Sequence, residues 1–171
     1  MAAVASSPTP ADILHRLFGF PGFRGQQEQV VTRVLAGQRT LAIMPTGAGK
    51  SLCYQLPAVI MDGTCIVISP LIALMHDQMR AADAVGIRAA TLTSADDNRA
   101  ETISRFRAGE FDLLYVAPER ASGPEFRSLL RETKISLFAI DEAHCVSEWG
   151  HDFRPDYRLL RPLLDNFAEV P

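Results

Sequence analysis

Thr40-Leu-Ala-Ile-Met-Pro-Thr-Gly-Ala-Gly-Lys-Ser51 decides how the rest of the chain is read. An apolar run enters a Gly-rich turn, and the turn ends in Gly49-Lys50-Ser51 ahead of a helical pattern. Backbone N–H groups converge in such a turn, and the helix that follows points its positive end at them. The result is a cradle for phosphate oxygens. Lys50 adds a compact charge for the β- and γ-phosphates, and the Ser51 hydroxyl can ligate magnesium. The strict pattern has Gly five residues before Gly49, where this chain has Met44. What remains is the looser Thr46-Gly47-Ala48-Gly49-Lys50-Ser51. An ordinary Gly-rich strand-to-helix turn is the alternative. Residue choice favours phosphate: of 17 Lys plus Arg, only Lys50 and Lys134 are lysine. A chain that uses arginine almost everywhere else has a small, rotatable ammonium here.

Outward from this turn the pattern alternates. Pro10 opens a helix, Ala11 to Phe18, that Gly19 stops, and an aromatic loop, Phe18 to Arg24, leads into a second helix from about Gln26 to Ala36. Val30, Val31, Val34 and Leu35 give that helix one apolar stripe, and Gly37 ends it. Thr40 to Met44 reads as a strand, followed by the phosphate turn and a helix to about Ile60 that Pro57 should bend or shorten. Further strands are expected at Thr64–Ile68, Ala89–Thr93, Asp112–Val116 and Ile135–Ile140. Helices are expected at Leu71–Val85, from a Ser94-x-x-Asp97 cap to about Ala108, at Pro124–Arg131 and at Pro155–Phe167. Uniformly apolar strands separated by helices imply a parallel sheet covered on both faces, a doubly wound α/β architecture. Ligands in such sheets gather beyond the carboxyl ends of the strands. Met44 to Ser51, Ser69-Pro70, Thr93-Ser94, Ala117-Pro-Glu-Arg120 and Asp141-Glu142 all fall at those ends.

Length and composition narrow the class. The 171 residues fit one domain, and 47% hydrophobic with 22% charged residues is globular rather than disordered. Residues 1–10 carry no Lys or Arg and read as a disordered lead-in rather than a secretory signal, with the domain spanning 11–171. No apolar run reaches membrane-spanning length, so no membrane partner is expected. A net charge of −3 excludes a nucleic-acid binder that works by overall field alone. Cys53, Cys65 and Cys145 form no Cys-x-x-Cys pair, which reads as buried thiols in a reduced, intracellular protein.

A second acidic feature completes the chemistry. Leu137-Phe-Ala-Ile140 runs into Asp141-Glu142-Ala143-His144, two adjacent carboxylates at a strand's exit. Asp141 is suited to holding magnesium on the β- and γ-phosphates, and Glu142 to orienting and deprotonating a water. Capping of the next helix, worth about 1 kcal/mol, is the plainer use of such a pair, but it explains neither the pairing nor Lys50.

Asp141-Glu-Ala-His144, the Thr46–Ser51 turn and Ser69-Pro-Leu-Ile-Ala-Leu-Met-His-Asp-Gln78 resemble the first RecA-like domain of a superfamily two helicase, a RecA-like P-loop NTPase fold. Cys145-Val-Ser-Glu-Trp149-Gly-His151-Asp-Phe153-Arg154-Pro155 is similar to the aromatic-rich loop of the RecQ DNA helicases. Phe18-Gly-Phe20 with Phe23-Arg24-x-x-Gln27 resembles the RecQ motif that grips adenine, and the resemblance extends over Ala11 to Pro171. It implies that Gln27 reads adenine's N6/N7 edge, Gln26 being the rival by position, while Phe20 and Arg24 flank the base. His144 would link the nucleotide to the DNA side. Trp149, His151 and Phe153 would stack on bases at about 1–3 kcal/mol each, with Arg154 on phosphate. Ser69-Pro70 and Thr93-Ser94 become candidates for the sugar-phosphate backbone.

The implied activity is ATP-dependent 3′-to-5′ DNA unwinding in recombination and repair. ATP and Mg2+ would be the cofactors, single-stranded or partly duplex DNA the partner, and the cytoplasm (nucleoid) or nucleus the location. The family also implies a second RecA-like domain with arginine fingers, and a zinc-binding and winged-helix region. None of these, and no zinc site, is expected within this chain. Alone, it is expected to bind ATP weakly, hydrolyse it slowly and unwind nothing. A non-motor nucleotide-binding module remains a rival, as does an RNA-directed DEAH-type enzyme, which the aromatic-rich loop disfavours.

Overall fold

Four parallel strands carry the architecture of the computed structural model, which describes residues 6–45, 47–143 and 160–171. They are β1 (Thr64–Ile68), β2 (Ala89–Leu92), β3 (Leu113–Val116) and β4 (Ile135–Ile140), hydrogen-bonded in the order β2-β3-β1-β4. All three pairings are parallel. The helices are α1 (Pro10–Ile13), running into a π-helical turn at Leu14–Phe18, α2 (Gln27–Leu35), α3 (Leu52–Ile60) and α4 (Ile72–Ala84). They continue with α5 (Arg99–Arg107), α6 (Pro118–Ala121), α7 (Pro124–Arg131) and α8 (Arg161–Asn166).

Both faces of the sheet are covered because its strands are apolar on both sides, with Thr64, Thr91 and Ser136 the polar exceptions. Alternate side chains point to opposite faces. Ile66, Ile68, Leu114, Val116 and Phe138 meet Phe106 of α5, Phe126 and Leu130 of α7, and Leu163 of α8. Cys65, Val67, Leu113, Tyr115 and Leu137 meet Val30 and Val34 of α2, Tyr54 and Ala58 of α3, and Met75 and Ala82 of α4. Ile13, Leu14, Val31, Leu52 and Leu56 form a satellite core joining α1, α2 and α3. A layer of helices on each face is the arrangement expected from sequence.

Two local expectations are corrected. Thr40–Met44 is not a strand: among the described residues it joins no ladder, and Leu41 and Ile43 are 77% and 82% exposed. A β-pattern needs a neighbouring strand to become a strand, and none lies beside this one among the described residues. Ser94-x-x-Asp97 does not cap α5, whose N-cap is Asn98 without a side-chain bond. Asp96 instead closes the turn upstream, accepting from the Thr93 N–H at 2.7 Å. α3 runs to Ile60, as expected, with Pro57 inside it. The short α6 is an addition to the expected elements, and of the expected Pro155–Phe167 helix residues 160–167 are described, with Arg161–Asn166 helical.

Candidate functional site

Register aligns the strand exits. Leu92 pairs with Val116, Val116 with Ile68, and Ile68 with Ile140. The next residue on each strand, Thr93, Ala117, Ser69 and Asp141, therefore leaves the sheet on one edge, and the Asp141 N–H still donates to the Ile68 carbonyl at 2.9 Å. The expected convergence of Ser69-Pro70, Thr93-Ser94, Ala117–Arg120 and Asp141-Glu142 follows from four strands ending in step.

The phosphate turn reaches this edge from outside the ladder. Gly47 and Gly49 take left-handed backbones, at φ +83° and +74°, and the Ala48 N–H donates to the Pro45 carbonyl at 3.1 Å. Such values favour glycine, which has no Cβ to clash. Ser51 stands at the N-cap of α3, and its carbonyl takes the Gln55 N–H at 2.9 Å, so the helix starts directly beneath the turn. Lys50 Nζ lies 3.9 Å from Glu142 Oε1, with the two side chains 44% and 31% exposed. Solvent screens a pair this open, so its worth lies in placement rather than stability. The Glu142 N–H donates to Asp141 Oδ1 at 2.9 Å, and Glu142 is the one non-glycine left-handed residue among those described, at φ +56°. That backbone turns the two carboxylates out of the strand direction at a cost of about 1–3 kcal/mol.

Gln27, to which the family resemblance assigns adenine's edge, contacts the protein itself in this structure. It is buried at the start of α2, its Oε1 accepts the Arg24 N–H at 2.8 Å, and its Nε2 donates to the Gly49 and Ala48 carbonyls at 3.1 and 3.3 Å. In this structure Gln27 is a strut between the aromatic loop and the phosphate turn, with its amide engaged at both ends. A Cβ on Gly49 would run into the Gln27 amide nitrogen, so glycine is needed there for backbone and for space. Phe20 is half-exposed and stacks with Phe18 at 6.3 Å between ring centroids.

Ser69 and Thr93 are buried, whereas Pro70 is partly open and Ser94 exposed. The Thr93 hydroxyl is spent inside the fold, donating to Asp96 at 3.0 Å and accepting from the Ala95 N–H at 3.2 Å. Behind the carboxylates, Tyr54 and Tyr115 meet hydroxyl to hydroxyl at 3.5 Å, and burial pushes both phenols above their ordinary value. A cavity of about 430 Å³ opens elsewhere, between β2, α5, α6 and α7. Thr46, His144, Trp149, His151, Phe153 and Arg154 lie outside the described residues. Asp96 was missed from sequence, although Thr93-Ser-Ala-Asp96 carries the same spacing as Ser94-x-x-Asp97, one residue earlier.

Hard oxygen donors, the Ser51 hydroxyl with the Asp141 and Glu142 carboxylates, suit magnesium better than a soft metal. Among the described residues no group of three or more His, Cys, Asp or Glu could hold a metal by itself.

Similarity to known proteins agrees with this geometry. The chain is 43% identical to the ATP-dependent DNA helicase RecQ of Haemophilus influenzae over 173 residues, covering 100% of this chain and 28% of that protein. It is 45% identical to the Bacillus subtilis protein of the same name, covering 93% of this chain and 27% of that one. The chain thus spans about a quarter of the length of these relatives. Among solved structures, a hypothetical ATP-dependent RNA helicase from Sulfolobus tokodaii superposes with TM-score 0.68 over 94% of this chain and 47% of its own, at 19% identity, which shows the shared fold. Residues 24–169 match the DEAD/DEAH box helicase family, and the chain belongs to it.

Proposed function

We propose that this chain is the nucleotide-binding motor domain of a RecQ-type, ATP-dependent 3′-to-5′ DNA helicase acting in recombination and repair. Its phosphate turn holds magnesium-ATP, and its strand-exit edge follows single-stranded or partly duplex DNA. The observation that carries the reading is the meeting of Lys50 and Glu142 at 3.9 Å, where the phosphate turn faces the paired carboxylates. Lys50 binds the β- and γ-phosphates, and Ser51 and Asp141 hold the metal, which neutralises phosphate charge when bound. Glu142 orients the attacking water and takes its proton. Trp149, His151 and Phe153 stack on bases, and Arg154 meets phosphate, as the family resemblance implies. The relatives named ATP-dependent DNA helicase RecQ support DNA as the substrate class.

Titration of a fluorescent ATP analogue and of labelled single-stranded DNA and RNA against the chain tests the reading. Magnesium-dependent nucleotide binding that Lys50→Ala abolishes, with DNA preferred over RNA, is the expected result. Nucleotide binding without any DNA affinity would favour a non-motor module instead. A second RecA-like domain is proposed to supply the arginine fingers, which typically contribute 10³–10⁵ in rate. The 171 residues assayed alone are therefore expected to hydrolyse ATP slowly and to leave duplexes intact.

A further inference from the structure

We propose that Asp96 is a positioning residue for nucleic-acid backbone, holding the turn after β2 in the shape that presents Ser94 and tying that turn to α4 through His76. The proposal rests on reading Ser69-Pro70 and Thr93-Ser94 as DNA contacts. Asp96 has only 9% of its side chain exposed. Its Oδ2 accepts the Thr93 N–H at 2.7 Å and the Thr93 hydroxyl at 3.0 Å, and its Oδ1 accepts the Thr91 hydroxyl at 3.1 Å. His76 Nε2, from the second turn of α4, lies 3.7 Å from Oδ1. Asp96 does not cap α5, since Asn98 stands at that boundary.

Sheet order gives this cluster its meaning. β3 lies between β2 and β1, so no backbone ladder joins the exit of β2 to the exit of β1. α4 begins directly after the β1 exit, and the His76–Asp96 contact bridges the two segments above β3. Within the turn, Thr91, Thr93 and Ala95 spend their donors inward, while Ser94 stays exposed, its carbonyl taking the Arg99 Nη1 at 3.4 Å. Satisfying one carboxylate with several donors fixes a short turn that has no regular structure of its own.

Electrostatics and positioning predict opposite signs for Asp96→Asn. Loss of a negative charge near phosphates would by itself tighten DNA binding. Loss of the turn's shape weakens it. Labelled single-stranded DNA is titrated against the wild-type chain, Asp96→Asn, His76→Gln and Ser94→Ala, alongside ATP-analogue affinity and thermal melting. The expected result is a roughly five- to tenfold weaker DNA affinity for Asp96→Asn, the scale of one ordinary hydrogen bond, with ATP affinity unchanged. His76→Gln, which leaves the turn's own bonds intact, weakens DNA binding about two- to threefold by loosening the tie between α4 and the turn. Adding Ser94→Ala to Asp96→Asn costs less than the two separate losses together. DNA affinity that is unchanged or tighter in both Asp96→Asn and His76→Gln overturns the proposal and leaves the proposed function standing. A wild-type chain that binds the ATP analogue but no DNA overturns the underlying reading and this proposal with it.

Discussion

Lys50, Gly49, Gln27 and Glu142 show how single residues set the site. Lys50 is one of two lysines in the chain, and it meets Glu142 where the phosphates are proposed to lie. Glu142→Gln is expected to preserve ATP-analogue binding while lowering hydrolysis by about 10²–10⁴, the usual contribution of a positioned base. Single-turnover hydrolysis beside equilibrium binding separates the two effects. Gly49 sits at φ +74° with its missing Cβ aimed at the Gln27 amide. Gly49→Ala should therefore destabilise the chain by about 1–3 kcal/mol in chemical denaturation. Gln27→Leu should cost a similar amount, about 1–3 kcal/mol, because it strands the Arg24 N–H and the turn's carbonyls. ATP affinity measured on the same variant checks whether the strut also shapes the cradle, with weaker binding expected.

At the scale of elements, apolar pattern and outcome agree wherever a strand has neighbours. Thr64–Ile68 lies between β3 and β4 and is buried along its whole length, whereas Thr40–Met44, similar in composition, lies open. Substitution should register that contrast. Leu41→Ser and Ile43→Ser are each expected to change stability by less than about 0.5 kcal/mol, whereas Ile66→Ala should cost about 2–5 kcal/mol. Urea denaturation followed by circular dichroism checks the comparison, and a large loss at Leu41 would mean that this segment is packed. Helix boundaries were legible where glycine or proline marks them: Pro124–Arg131 was read to the residue, and Gly37 ends α2 with its N–H on the Val34 carbonyl at 2.9 Å. The start of α5 was not, because two overlapping Ser/Thr-x-x-Asp spacings compete and only packing chose Asp96.

For the molecule as a whole, burial of ionisable groups sets an alkaline limit. Burial raises the Cys65 thiol from its ordinary 9.0, and the Tyr54 and Tyr115 phenols from their ordinary 10.0. Between the unfolded and folded values these groups hold their protons only in the native state. Their contribution is therefore complete below about pH 9 and declines as pH rises beyond it. Urea midpoints should fall between about pH 8 and about pH 10.5, with phenolate absorbance appearing only as the chain unfolds. Cys65, fully buried in the central strand, should likewise resist alkylation in the native chain and react after denaturation, as read by peptide mass spectrometry.

The amino-acid order by itself determined the α/β class, the parallel sheet covered on both faces, the phosphate turn and the paired carboxylates. Each is a local signal: uniform apolarity of short runs, glycines ahead of a lysine, two acids at a strand's end. Tertiary structure alone decided that Thr93 faces inward, that Gln27 braces the phosphate turn, that Asp96 bridges two strand exits, and that Thr40–Met44 stays outside the ladder. Those outcomes depend on which segments become neighbours across the sheet, and contacts between residues far apart in the chain leave no periodic trace along it.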